Sequence, residues 1–203
     1  MKRATTGLAE HKGLPIQTFA DRAAWEKWLA VRGASSAGVW LKLAKKTNRE
    51  PTIAKPDAIE AALCFGWIDG QLDRFDEAYW LVRFTPRGPK SQWSQINRET
   101  ALRLIAAGKM KPAGQAEIER AKADGRWDAA YAPQSKADVP DDLEKALDAN
   151  PKAKAFFATL NGANRYAILY RIHHAKKEKT RAARIEKFVA MLARGETIHP
   201  QKA

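Results

Sequence analysis

The chain has very little cysteine and no long apolar run. Cys64 is the one cysteine among 203 residues, which excludes an internal disulfide framework and favours a reducing compartment. No stretch approaches the roughly 20 apolar residues of a membrane-spanning helix, so we expect no membrane span. The basic residues Lys2 and Arg3 are not followed by the apolar stretch of a secretory signal, and we therefore expect a cytoplasmic protein.

The motifs of the familiar enzyme classes are also missing. The nucleotide-binding patterns G-x-x-x-x-G-K-[ST] and G-x-G-x-x-G do not occur, and there is no G-x-S-x-G nucleophile elbow. The histidines do not have the spacing of a zinc site, either with each other or with Cys64. Cys64 lies in an apolar segment without basic neighbours, which is typical of a buried, unreactive thiol. The sequence therefore predicts no cofactor and no metal, and it favours binding over catalysis.

Positive charge is what the sequence has in excess, and it is unevenly spread. Lys and Arg total 36 against 23 Asp and Glu, which gives a formal net charge of +13. From Asn150 to the end, seven lysines and five arginines stand against three glutamates, a net charge of +9. A polyanion would approach this C-terminal part first, so nucleic-acid binding through its helices is one hypothesis. The alternative is a solvated basic helix, since no RNA- or DNA-binding motif accompanies the charge.

Hydrophobic periodicity predicts an α+β protein. Helical patterns cover 18–29, 57–65, 94–107, 112–123, 140–148 and 151–160, and two longer ones begin at Ala163 and Thr180. Strand patterns cover 38–45, 67–75 and 79–85. We expect a small antiparallel β-sheet flanked by helices, followed by an all-helical C-terminal unit.

Composition also predicts how the chain is divided. Residues 1–15 are polar and aperiodic and are expected to form a flexible arm, and 132–139 is a polar connector. The predicted parts are therefore the arm, an α+β domain over 16–131, the connector, a helical unit over 140–196 and a tail over 197–203.

The strands 67–75 and 79–85 predict an antiparallel hairpin with a loop at 76–78. Strand alternation assigns a more polar face to Trp67, Asp69, Gln71, Arg83 and Thr85, and Trp40 and Lys42 of the preceding strand fit the same face. We interpret this face as a recognition surface. The alternative is structural, with Asp69 and Arg83 as a cross-strand ion pair and Gly70 as a bulge.

A basic loop follows the hairpin and leads into a helix. Ser94 is a candidate N-cap, and a helix N-terminus with Arg and Lys nearby is suited to bind an anion. The alternative for Trp93 is a position in the core. The predicted ligand-binding residues of the strands and this loop are Asp69, Gln71, Arg83, Thr85, Arg87, Ser91, Trp93, Ser94 and Asn97.

The last helical pattern places an arginine on its apolar side. At about 100° per residue, Ile185, Phe188 and Leu192 form an apolar stripe that includes Arg181, and Arg184 lies at its border. A guanidinium on the buried side must be paired with an acid or must hold an anion. Arg181 and Arg184 therefore mark either a buried ion pair or a buried anion site.

One long string of residues is distinctive. It begins with Leu63-Cys64-Phe65-Gly66-Trp67-Ile68-Asp69-Gly70-Gln71 and continues through Tyr79-Trp80 and Arg83-Phe84-Thr85-Pro86-Arg87 to Trp93. Shorter distinctive strings follow at Gly125-Arg126-Trp127, Asn164-Arg165-Tyr166 and Thr180-Arg181. Over roughly residues 15–198 the chain resembles the YdeI/OmpD-associated family, also labelled OmdA-like or bacteriocin-protection proteins. The resemblance implies a link to resistance against cationic antimicrobial peptides, and it implies no catalytic residues. Direct capture of such a peptide is opposed by the long-range repulsion of a chain with net charge +13.

Three hypotheses for function follow. The first is a non-catalytic cytoplasmic binding protein of this family, with a stress- or peptide-resistance role implied by the resemblance. We expect its partner to be an anionic small molecule or protein, engaged by Arg83, Arg87 and the loop before Ser94. The second is nucleic-acid binding through the basic C-terminal helices. The third is an enzyme that uses Asp69 as a general base while Arg83 orients an anionic substrate.

Overall fold

A computed structural model describes residues 9–46, 48, 50–133 and 138–201. Within these residues the strands are β1 Glu10–His11, β2 Leu14–Gln17, β3 Val39–Ala44, β4 Trp67–Arg74 and β5 Tyr79–Pro86. The helices are α1 Arg22–Arg32, α2 Lys55–Cys64, α3 Gln95–Ala106, α4 Pro112–Ala123, α5 Asp141–Asp148, α6 Pro151–Ala158, α7 Gly162–His173 and α8 Glu178–Ala193.

The chain divides into two compact units. The first contains the residues up to 93 together with 97–130, and the second contains 94–96 and the chain from 131 onward. All the strands lie in the first unit, and α5 to α8 lie in the second. We predicted the boundary in the polar segment 132–139, and the described chain changes unit between Ala130 and Tyr131.

The α+β class is confirmed, and the sheet is mixed. Its strand order is β1-β2-β3-β5-β4. The pairs β1–β2, β3–β5 and β4–β5 are antiparallel, as predicted for the sheet, but β2 and β3 are parallel. The parallel pair arises because α1 connects β2 to β3 as a crossover, which returns the chain in the same direction.

The first strands replace part of the predicted flexible arm. Residues 10–17 form the β1–β2 hairpin, with Lys12 and Gly13 at positive φ in its turn. The hairpin is held at its tip, because Asp73 of β4 accepts hydrogen bonds from Lys12 Nζ (2.6 Å) and from His11 Nε2 (2.9 Å). Residues 1–8 of the predicted arm lie outside the described residues.

The main core of the first unit lies between one face of the sheet and two helices. Trp25 and Leu29 of α1 and the alanines of α2 pack against Val39, Leu41, Val82 and Phe84. A Trp25–Phe84 edge-to-face contact, with ring centroids 5.7 Å apart, ties α1 to β5.

A bulge in β4 makes the predicted sorting of side chains wrong. The register pairs Asp69 with Phe84 and Leu72 with Val82, with an irregularity between Asp69 and Leu72. Asp69 therefore shares the helix-packed face of the sheet, whereas Arg83, paired with Trp40 of β3, lies on the opposite face. Thr85 lies on the face of Arg83, and Gln71 is exposed within the bulge.

The second unit has a helical core of its own. One buried cluster joins its four helices, with Leu143 and Leu147 from α5, Phe157 from α6, Ile168 and Ile172 from α7, and Phe188 and Leu192 from α8. The helices begin at recognisable caps, since the Asn150 and Asn161 side chains accept from the backbone N–H of Ala153 and of Asn164. No helix in the described ranges of either unit is long and apolar enough to cross a membrane.

Candidate anion site

The first unit contains an open cleft of about 820 Å³. Its walls come from α1, from the turn between α2 and β4, from the end of β5 and from the beginning of α4. Leu29, Phe65 and Trp67 give the cleft an apolar surface, and Lys27, Arg87 and Lys111 bring positive charge to it.

The cleft keeps its shape because three chain segments meet at very short range. Gly66 has φ +75°, and a Cβ there would lie 2.9 Å from the Ala113 carbonyl oxygen of α4. The Gly66 carbonyl accepts the Arg87 N–H at 2.9 Å, and the Cys64 carbonyl accepts the Lys111 N–H at 3.1 Å. The backbone positions of Arg87 and Lys111 are therefore both fixed to the α2–β4 turn.

The charges that line the cleft do not balance. Its two carboxylates, Glu26 and Glu117, are already paired with Arg22 (Nε–Oε1, 2.7 Å) and with Arg120. Within the part of the chain that the structure describes, neither Lys27 nor Lys111 has a carboxylate at ion-pair distance. The cleft therefore carries a surplus of positive charge, which favours an anion.

Behind the cleft, three guanidiniums hold the loop that follows β5. Arg87 donates to the Gln92 carbonyl (3.3 Å), Arg126 to the Ser91 carbonyl (2.7 Å) and Arg120 to the Arg87 carbonyl (3.2 Å). The Ser91 hydroxyl accepts from the Gly88 N–H at 3.0 Å and closes the loop on itself. This network fixes the position of Arg87 in the wall of the cleft.

Two of these arginines are almost fully buried. Arg87 is 5% exposed, and its Cζ lies 3.6 Å from the centroid of the Trp93 ring, while Arg126 is 6% exposed. Asp124 pairs with Arg126 at 2.8 Å, and this pairing lowers the pKa of the Asp124 carboxyl. Trp93 Nε1 and Arg126 Nη2 are buried donors without a hydrogen-bond acceptor among the described residues. Buried donors left unsatisfied add to the positive potential on this side of the unit.

The structure brings only some of the predicted ligand-binding residues together. Arg87, Ser91 and Trp93 belong to the guanidinium-held loop, and of the predicted residues Arg87 lines the cleft. Ser94 pairs with Tyr131 in an isolated bridge of the second unit, and Asn97 lies in the first turn of α3. Trp93 is 2% exposed, which agrees with the core alternative for this residue.

The predicted pairing of Asp69 with Arg83 is wrong, because the bulge separates them onto opposite faces of the sheet. Lys55 of α2 is instead the cation near Asp69, at 3.9 Å. Burial raises the pKa of the Asp69 carboxyl, and Lys55 opposes that shift. The structure therefore does not assemble the Asp69 and Arg83 site of the enzyme hypothesis.

Arg181 of α8 has a structural partner. It makes a two-pronged ion pair with Asp142 of α5, and its Nη1 also donates to the Ile172 carbonyl at 3.0 Å. Arg184 donates to the Arg171 carbonyl. Of the two alternatives that the sequence left open, Arg181 takes the ion pair, which links α8 to α5, and its hydrogen bond to Ile172 links α8 to α7.

Sequence reasoning missed Lys27, Lys111 and Arg120 because they come from elements far apart in the chain. One local signal did exist, since Lys111 immediately precedes a proline that begins a helix, a position where the first backbone amides are exposed. A second was the adjacent pair Arg126 and Trp127, and in the fold the Trp127 ring contacts Trp93 edge-to-face with centroids 4.8 Å apart.

Two known families match parts of the chain. Residues 17–117 match a family described as Domain of unknown function (DUF8412), and this match contains the cleft and the central strands. Residues 136–195 match the family described as Bacteriocin-protection, YdeI or OmpD-Associated (OmdA). The C-terminal helices therefore form an OmdA domain, and the predicted family is confirmed there. No curated protein and no solved structure matches the chain.

Proposed function

We propose that the first unit binds an anionic small molecule in the cleft, and that the protein is a non-catalytic cytoplasmic binding protein. One observation carries this proposal. Lys27, Arg87 and Lys111 line a cleft whose two carboxylates are already neutralised by Arg22 and Arg120. An anion entering the cleft meets Lys27 and Lys111, neither of which has a carboxylate at ion-pair distance among the described residues, and a buried arginine network supports the potential from behind.

The apolar surface of the cleft narrows the kind of anion. Phe65 is partly exposed and offers contact area for an aliphatic or aromatic group, while Leu29 and Trp67 are buried in the apolar wall, as in most small-molecule sites. We therefore expect an organic anion in preference to an inorganic one. Binding without catalysis is supported by the same ion pairs, because Glu26 and Glu117 are both engaged with arginines and neither is a free proton acceptor.

The family description is the basis for the proposed role in the cell. The OmdA family is described by bacteriocin protection, and we include a protective or stress-related role for this chain. The net charge of +13 argues against direct capture of a cationic peptide, so the proposed role acts through an anionic ligand or partner.

Isothermal titration of the full chain with phenyl phosphate tests the binding step. Lys27→Ala combined with Lys111→Ala should weaken the affinity at least tenfold, because both side chains are exposed at the cleft and can be removed without opening the core. Lys152→Ala, an exposed lysine of the second unit, is the matched control and should bind like the wild type. An affinity that the double variant leaves unchanged would contradict the proposal.

Nucleic-acid binding is the second candidate, and one observation favours it. Lys176, Lys177 and Lys179 are all exposed where α7 ends and α8 begins. A mixed-sequence oligonucleotide titrated beside phenyl phosphate separates the two candidates. Salt-sensitive binding that is lost in a Lys176→Ala, Lys177→Ala variant would favour the second candidate.

A further inference from the structure

A second, smaller cavity adjoins the cleft. It has a volume of about 370 Å³ and is lined by Arg22, Glu26, Gly108, Lys109 and Lys111. Glu26 and Lys111 line both cavities. We refer to these two neighbouring cavities together as the groove, in which Lys111 belongs to the lining of both.

Positive charge continues into the smaller cavity. Its one carboxylate, Glu26, is paired with Arg22, and Arg22 is held a second time by Glu60 at 3.1 Å. Lys109 and Lys111 are exposed, and among the described residues neither has a carboxylate at ion-pair distance. The free cations along the groove are thus Lys27 in the larger cavity, Lys111 in the lining of both and Lys109 in the smaller cavity.

Backbone hydrogen bonds fix the positions of Lys109 and Lys111. Gly108 has φ +65° and ends α3, and the Lys109 N–H donates to the Leu104 carbonyl at 2.9 Å. The Lys111 N–H donates to the Cys64 carbonyl at 3.1 Å. Two residues of non-helical chain separate their Cα atoms by at most about 7 Å. That spacing suits two adjacent anionic groups of one ligand.

The start of α4 adds to the same potential. Lys111 is the N-cap residue, its side chain makes no capping hydrogen bond, and Pro112 occupies the first turn. Ala113, in that first turn, lines the larger cavity. The positive end of the helix dipole therefore lies at the groove and reinforces the lysines.

We propose that the ligand of the groove is an organic diphosphate, an inference that rests on the proposed function and specifies its substrate class. The apolar part of the ligand lies in the larger cavity against Phe65. One phosphate lies near Lys111, and the second extends to Lys109 in the smaller cavity. The next cation beyond Lys109 is Arg22, whose guanidinium is already paired with Glu26 and Glu60. The groove therefore matches two linked phosphates and not a longer polyanion.

The test is a titration of the full chain with geranyl monophosphate and geranyl diphosphate, which differ by one phosphate only. We expect the diphosphate to bind at least tenfold more tightly. Lys109→Ala should abolish that advantage, because the affinity for the diphosphate should fall to that for the monophosphate, whereas Lys152→Ala should alter neither affinity.

The outcomes separate this inference from the proposed function. Equal affinities for the two ligands, or a Lys109→Ala variant that weakens both alike, would overturn the diphosphate assignment while monophosphate binding at Lys27 and Lys111 still stands. If neither ligand binds, the anion site itself is refuted. Circular dichroism of each variant verifies that the fold is intact.

Discussion

Replacing Gly114 by alanine should destabilise the first unit, because α4 packs on the end of α2 through this glycine. A Cβ on Gly114 would lie 2.7 Å from the Leu63 carbonyl oxygen and closer still to that of Cys64, whereas ordinary contact begins at 3.4 Å. Both obstacles are backbone atoms at the end of α2, next to Gly66 and the cleft. The helices must therefore separate to accommodate the methyl group.

The magnitude follows from two opposing contributions. Alanine is more favourable than glycine in a helix by about 1 kcal/mol. Separating the helices opens gaps around Ile118 and Ala121, which are buried in one cluster with Leu63 and Cys64. Disturbing a well-packed core in this way typically costs about 1–3 kcal/mol. Because both contacts involve backbone oxygens that cannot rotate away, we expect the packing cost to lie at the upper end of this range, which leaves a net loss of about 2 kcal/mol in the free energy of unfolding.

Tryptophan fluorescence during urea unfolding measures this loss selectively, because all seven tryptophans lie in the first unit. Gly88→Ala is the control, since its nearest neighbour would be 3.8 Å away, and it should change the free energy of unfolding by less than about 0.5 kcal/mol. A Gly114→Ala variant as stable as the wild type would refute the packing argument.

Two further predictions concern the second unit, and thermal unfolding followed by far-UV circular dichroism measures both. Asp142→Asn should destabilise this unit by about 1 kcal/mol, because it weakens the two-pronged but partly exposed ion pair with Arg181. The control Asp148→Asn removes a single exposed contact with Lys154 and should destabilise the unit less. Because Arg181 lowers the pKa of Asp142, the wild type should lose its advantage over Asp142→Asn as the pH falls below the ordinary Asp range; a constant difference down to low pH would contradict this. Burial lowers the pKa of His174 below its ordinary 6.5, so the unfolded chain takes up the proton first. The unit should therefore lose stability as the pH falls below that value. His174→Gln should reduce this dependence of stability on pH, and a variant with the same pH dependence as the wild type would contradict the prediction.

The helices and the central strands could be predicted from the sequence because their signals are local. The pattern over 112–123 coincides with α4, where a proline begins the helix and Gly125 follows it. The stripe that predicted a partner for Arg181 depended only on positions along one helix, and the structure supplies Asp142 as that partner. Such features need no knowledge of which elements meet in space.

Other features were out of reach because they depend on register and on tertiary contacts. A single irregularity between Asp69 and Leu72 moves Asp69 to the other face of the sheet, and alternation along the strand cannot reveal it. The β1–β2 hairpin is too short to show a period. The cleft joins Lys27, Arg87 and Lys111 from three distant parts of the chain, and only the fold places them together.

The arginine network explains why the cleft depends on residues that never reach it. Arg120 and Arg126 bond to backbone carbonyls of the loop that carries Arg87, so they hold its guanidinium against Trp93 without lining the cavity. Residues of this kind position the binding group. Their loss should therefore change the shape of the cleft as well as its charge.

The measurement that tests the central claim most directly is an amide and indole NMR map of phenyl phosphate binding to the full chain. We predict shift changes concentrated at the Trp67 indole N–H and at the backbone amides of Arg87, Lys111 and Ala113, with the second unit unaffected. Changes confined to residues 176–179, with the cleft signals unmoved, would contradict the account and would place the anion site on the basic C-terminal helices.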